Sequence, residues 1–163
     1  MLIVQRSLMR FIPLLSGLIF LINVTALVCE TPKRCTKDEA IRAETEASSL
    51  ANWEDVHKSF ERFSQCDDGA IGEGYSDAVA RLLSDNWSTV DQLNRLVTND
   101  EPFERFVLHH VDELMSPAQA QKIVDNAHAH CPMGAKRLCK TLITRIEQVP
   151  AGPAEGKRGP VKR

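Results

Sequence analysis

Four carboxylates, three glycines and a tyrosine crowd the stretch CDDGAIGEGYSDAVARLL, from Cys66 to Leu83. Asp67, Asp68 and Glu73 are hard oxygen donors beside glycine, which raises the chemistry of a calcium loop. Such a loop needs oxygens at alternating positions and a bidentate Glu at its twelfth. Counted from Asp67, the third position is Gly69, the fifth Ile71 and the twelfth Ala78, so the pattern fails. A nucleotide loop is excluded as well. The G-x-G-x-x-G spacing is absent, and a phosphate would meet acidic side chains first.

The histidines raise a second chemistry. His109 and Glu113 lie one helical turn apart and resemble half a metal site, but the H-E-x-x-H pattern of a zinc helix is missing. His110 shares the side of Phe106 and Leu114, which suits a hydrogen-bonded core histidine better than a ligand. His128, His130 and Cys131 bring imidazole and sulfur together, yet in an exported chain Cys131 is drawn toward a disulfide. A cysteine nucleophile usually stands on a helix against a sheet that carries its base. No segment here has the alternating, β-branched pattern of a strand. The expectation is a protein that is not an enzyme, with no catalytic residue, no metal and no cofactor.

What the Cys66–Leu83 stretch offers instead is a surface for binding. Gly69, Gly72 and Gly74 allow tight turns, and Asp67, Asp68 and Glu73 sit near a following helix N-terminus whose dipole offsets their repulsion. Tyr75 adds a rigid amphipathic side chain of the kind found at interface centres. The competing reading is that Asp67 or Asp68 caps local amides and Tyr75 packs in the core. A second candidate surface is the turn around Trp87, with Asp85 and Asp91 beside it. Trp87 lies off the periodic apolar face, so it either anchors an interface or packs back across the turn. The expected partner-binding residues are Asp67, Asp68, Gly69, Glu73, Tyr75, Asp77, Trp87 and Asp91.

The compartment decides what the five cysteines do. Arg6 and Arg10 precede an apolar stretch, Phe11 to Ile22, and the small-residue site Val24-Thr25-Ala26 follows, so residues 1–26 read as a signal peptide. The stretch is short for spanning about 30 Å of hydrocarbon, which argues against an uncleaved anchor. Val28 immediately before Cys29 argues against lipidation. The chain is expected in the periplasm, with no membrane attachment after cleavage. There Cys35, Cys66, Cys131 and Cys139 are the disulfide candidates, giving one or two bridges, and Cys29 is left over or intermolecular. Spacing does not fix the connectivity.

Residues 27–149 form one expected domain, large enough to bury about two thirds of its unfolded surface. From Glu30 to Val149 there are 14 Lys and Arg against 21 Asp and Glu, a net −7. From Pro150 to Arg163 there are 4 Lys and Arg against Glu155, a net +3. An acidic body disfavours nucleic acid and suits a basic protein partner. The Gly/Pro-rich basic end, 150–163, reads as a disordered tail.

The elements that must position these residues are helices. Thr36 or Asp38 caps an outer helix or arm. Trp53, Val56, Phe60 and Phe63 recur on one face, predicting a helix over roughly Leu50 to Ser64. The three glycines then break the chain, and a helix beginning near Gly74 or Tyr75 carries Ala78, Val79, Leu82 and Leu83. A short helix holds Val90, Leu93, Leu96 and Val97. Asp100 caps the next, with Pro102 in its first turn and Phe103, Phe106, Val107, His110, Val111 and Leu114 on its buried side. Ser116, Pro117 and Gln119 make a capping box with proline at the first helical position. Cys131-Pro132 ends that helix, and a last one runs from about Gly134 to Gln148. The expected fold is all-α: a small irregular helical bundle of about five to seven helices, stabilised by disulfides.

The run FSQCDDGAIGEGYSDAVARLL from Phe63 to Leu83, with FERFVLHHVDEL from Phe103 to Leu114 and CPMGAKRLC from Cys131 to Cys139, resembles the type VI secretion system amidase immunity proteins. More narrowly, it is similar to the group paired with the fourth class of peptidoglycan amidase effectors. The resemblance spans roughly Trp53 to Ile146. It implies a small periplasmic helical protein, commonly a homodimer. Such a protein binds a papain-like cysteine amidase and blocks the groove where the bond between D-glutamate and diaminopimelate is cleaved. The positions it carries over are Cys66, Asp67, Asp68, Gly69, Glu73, Gly74, Tyr75, Ser76 and Asp77. Which of them touch the effector and which hold the fold stays open. Gly72 stands where alanine is more usual, and the basic tail lies outside the pattern. The loop from Cys66 to Gly74 is the first candidate for insertion, the Asn86–Asp91 turn the second, and Phe103–Leu114 a candidate dimer seam. The alternative function is a general periplasmic chaperone-like or binding protein, which would expose wide apolar surface.

Overall fold

Thr36 begins the described fold with a reciprocal cap. Its hydroxyl accepts from the Glu39 backbone N–H, and the Glu39 carboxylate accepts from the Thr36 N–H. The computed structural model describes residues 33–150. The expected signal peptide, Cys29 and residues 151–163 of the basic segment lie outside the described residues. Seven α-helices follow in order: α1 Lys37–Ala47, α2 Trp53–Phe63, α3 Gly69–Asp85, α4 Val90–Thr98, α5 Glu101–His109, α6 Pro117–Ala129 and α7 Lys136–Gln148. Single 3-10 turns at Ser64–Cys66, Trp87–Thr89 and Met133–Ala135 connect them. No strand occurs among the described residues, so the expected disulfide-stabilised helical bundle is the fold observed.

The central element is α3. Beyond its first two turns it is buried nearly all round, through Tyr75, Ser76, Ala78, Val79, Ala80, Leu82, Leu83 and Ser84. It packs on α1 along one side and α6 along another, while α6 pairs with α7, α4 with α5, and α2 with α1. A surface helix shows one apolar stripe, whereas an all-round one must be enclosed. The expected start near Gly74 is corrected here: α3 begins at Gly69, and Gly72 and Gly74 are helical rather than part of a projecting turn. Among the described residues only Gly69 has a positive φ, 52°, which a side chain would disfavour. Gly74 is required by contact instead. A Cβ there would lie 2.9 Å from the Ala47 Cβ and 3.3 Å from the Ala47 carbonyl carbon, so α1 and α3 cross at their two smallest side chains.

Both disulfides close. Cys35 pairs with Cys66, pinning the segment before α1 to the turn before α3, and Cys131 pairs with Cys139 across the α6–α7 connection. Two indoles brace the interior. Trp53 Nε1 donates to Thr89 Oγ1 at 3.0 Å, and Trp87 Nε1 donates to the His130 carbonyl at 3.0 Å. Helix α5 is shorter than its apolar spacing predicted. Arg145 of α7 donates through Nε to the carbonyls of Leu108 and Val111, satisfying groups a longer helix would have used itself. Leu114, expected on the buried side, therefore falls in the turn after α5 and is 60% exposed.

Candidate functional site

The acidic run divides between inside and outside. Asp68 is the N-cap of α3, its carboxylate accepting from the Gly69 N–H at 2.8 Å. Asp68, Gly69, Glu73 and Asp77 are exposed along the first turns of that helix. Asp77 stands 3.9 Å from Arg81 one turn on, while Asp68 and Glu73 have no cationic partner among the described residues. Carboxylates at a helix N-terminus are favoured by the dipole, so this shoulder holds negative charge without neutralising it.

Asp67 faces the other way. The His110 ring is 3% exposed, and its Nε2–H donates to Asp67 Oδ2 at 3.1 Å. Its Nδ1 lies 3.0 Å from Ser76 Oγ, and the Ser76 hydroxyl donates to Asp112 Oδ2 at 2.6 Å. The segment after Cys66, the middle of α3 and the turn after α5 are thereby joined through one histidine. All three contacts are hydrogen bonds only when the group holds one proton more than a neutral imidazole and a hydroxyl supply. Asp112 also accepts from the Leu114 N–H at 2.9 Å, which shapes the turn.

Serine, histidine and aspartate in contact invite comparison with an acyl-transfer triad. The chemistry does not follow. Ser76 is 3% exposed and gives its proton to Asp112, so no substrate carbonyl reaches its oxygen. Among the described residues no cluster of three or more His, Cys, Asp or Glu side chains has the arrangement to hold a metal ion. His109 is exposed, whereas His110 is a core histidine.

Two expected contact residues are corrected. Tyr75 is fully buried: its ring meets Phe106 edge-on at 4.9 Å and its hydroxyl lies 2.9 Å from Ser59 Oγ. Burial pushes the pKa of that hydroxyl above its ordinary value. Trp87 is 8% exposed, held inward by the bond from its indole to His130. Neither presents a face to a partner. Asp91 is exposed in the first turn of α4, but it stands on a different helix from the α3 shoulder and has lost its aromatic neighbour as a surface feature.

Nothing in the residue types or spacing of Ser76 and Asp112 marks them as members of a network. The available signal was His110 on an apolar helix side, because a buried imidazole must find partners for both nitrogens. A second such pair is His57 and Asp100, 2.9 Å apart, where Asp100 also caps α5 through Phe103. His57 holds the Asp100 carboxyl below the usual carboxylate range. No protein-family model, curated protein or solved structure matches this chain.

Proposed function

We propose that the protein is a periplasmic immunity protein that binds a secreted cysteine peptidoglycan amidase and inhibits it by occupying the cleft of its peptide substrate. The observation that carries this reading is the unneutralised acidic shoulder of Asp68, Gly69 and Glu73, mounted on the most buried helix of the bundle. A shoulder backed by a disulfide and by a buried hydrogen-bond network loses little conformational freedom on binding, so less of its contact energy is consumed by ordering. Its charge favours fast encounter with a basic surface. Inhibition needs no reaction on this chain, because shoulder and substrate peptide compete for the same space.

The motif resemblance implies the identity of the partner and the homodimeric state, and the exposed acidic shoulder offers a surface for that partner. The chaperone-like reading calls for broad exposed apolar area. The large exposed hydrophobics among the described residues are Ile41, Leu114 and Met133, which come from three separate parts of the fold. Isolated exposed side chains of this kind are ordinary for a soluble protein.

Titration of the purified oxidised chain against an amidase of this class, with peptidoglycan as substrate, tests the reading. Loss of hydrolysis near a one-to-one ratio is the expected result. Undiminished hydrolysis in excess of this chain would end the proposal.

A further inference from the structure

A groove of about 240 Å³ lies between the turn after α5, the first turns of α6 and the end of α7. Val111, Met115, Val124, Ile146 and Val149 make it largely apolar. Asp112 lines it as well, and three exposed carboxylates follow directly on lining residues: Glu113 after Asp112, Asp125 after Val124 and Glu147 after Ile146. None of these four has a cationic partner among the described residues. The nearby cations are otherwise engaged. Lys122 pairs with Asp85 at 3.0 Å, and Arg145 donates to the carbonyls that end α5.

The chain itself leads into this groove. Val149 and Pro150 line it, and the residues that follow, AGPAEGKRGPVKR, carry Lys157, Arg158, Lys162 and Arg163 against Glu155. Val161 is the segment's one branched aliphatic residue, and it stands between Pro160 and Lys162. An extended backbone spans about 3.3–3.6 Å per residue, so the eleven positions from Pro150 to Val161 are more than enough to turn back across the groove. A tether this short holds its end at an effective concentration on the order of millimolar, and closing the loop adds only a slowly growing entropic term.

We propose that this groove is the docking site of the chain's own residues 151–163. Pro160 and Val161 enter the apolar floor, and the four cations lie against Asp112, Glu113, Asp125 and Glu147. The apolar contact fixes the position, and the exposed charge pairs add a salt-sensitive attraction. The site is distinct from the acidic shoulder on α3, and its occupation does not depend on the identity of the partner proposed above.

The methionines make the test simple. Residues 27–163 contain two, Met115 in the groove wall and Met133, which is 83% exposed in the α6–α7 connection. Methyl NMR of the chain 27–163 is compared with that of the same chain ended after Pro150, and with Val161→Asp. Met115 is expected to resonate at different positions in the full and shortened chains, while Met133 stays in place. Val161→Asp, or salt near about 0.5 M, is expected to return Met115 to its position in the shortened chain. Coincident Met115 signals in all samples would overturn the proposal. So would a Met115 shift that grows with protein concentration, because the groove would then hold a second copy. A shift that survives Val161→Asp would also overturn it, because the anchor would be wrong.

Discussion

His110 and Asp67, separated by 43 positions, meet at 3.1 Å and so fasten the segment after Cys66 to the turn after α5. Ser76 and Asp112 extend the same link. His110→Ala leaves Asp67 and Ser76 without their buried partner and is expected to lower stability by about 3 kcal/mol or more. Ser76→Ala should lose roughly 1–3 kcal/mol. Because the two act in one network, the double variant should fall short of the sum by about 1 kcal/mol. Urea unfolding of the three oxidised variants supplies the comparison, and strict additivity would show the network to be two unrelated contacts.

The helix crossing at Gly74 sets a second expectation. Ala47 meets a Cβ at position 74 with both its side chain and its backbone, so the clash is not relieved by a side-chain rotation. Gly74→Val is expected to lose about 1–3 kcal/mol through overpacking. Gly69→Ala should lose about 1–2 kcal/mol for a different reason, its left-handed φ, with open space around the new methyl. Thermal melts separate the two if a compensating Ala47→Gly restores part of the Gly74→Val loss and none of the Gly69→Ala loss.

Acid should act through Asp100. Its carboxyl ionises at lower pH in the fold than in the open chain, chiefly because His57 bonds it. The stabilisation is therefore complete above the unfolded value, about 3.9, and is lost as pH falls through the lower folded value. Asp100→Asn keeps an oxygen for the Phe103 N–H but cannot ionise. It should be less stable than the parent near neutrality, and the gap should narrow below about pH 4. Melting midpoints across the acid range give the answer; a gap independent of pH would count against the His57 contact.

The two disulfides should differ in weight. Cys35–Cys66 spans 31 positions and Cys131–Cys139 spans 8. Chain-entropy reasoning gives about 3–4 kcal/mol for the longer loop and roughly 2–3 for the shorter. Paired alanine replacements, each followed by denaturant unfolding without reductant, should reproduce that order.

Asp68 and Glu73 test the shoulder, and they are not equivalent. Asp68 caps α3, so Asp68→Lys should weaken capture of the proposed amidase partner and also lose about 1 kcal/mol of stability. Glu73→Lys removes exposed charge with no hydrogen bond to lose, and should weaken capture with an unchanged melting midpoint. Binding measured for both variants at two salt concentrations decides the matter, and affinity unchanged by Glu73→Lys would take that side chain out of the interface.

Local chemistry was legible in the sequence. The Ser116-Pro117-x-Gln119 start of α6 and the Asp100 cap of α5 are complete within four residues, and both occur as read. The start of α3 was not legible, because glycines at 69, 72 and 74 each disfavour a helix by about 1 kcal/mol relative to alanine. The contact that demands Gly74 comes from Ala47, on another element. The inward turn of Tyr75 and Trp87 has the same origin: their partners Ser59 and His130 lie 16 and 43 positions away. The buried network fails as a sequence signal for that reason as well. Ser76, His110 and Asp112 have no diagnostic spacing, and only folding makes them neighbours. Among the surface expectations, Asp68, Gly69, Glu73, Asp77 and Asp91 do lie outside.

The longer bridge also imposes an order of assembly. Cys35 and Cys66 enclose the whole of α1 and α2, so a growing chain presents Cys35 well before its partner Cys66 arrives. The native bridge can close only after both helices have been made, which ties it to a late point in the growth of the chain.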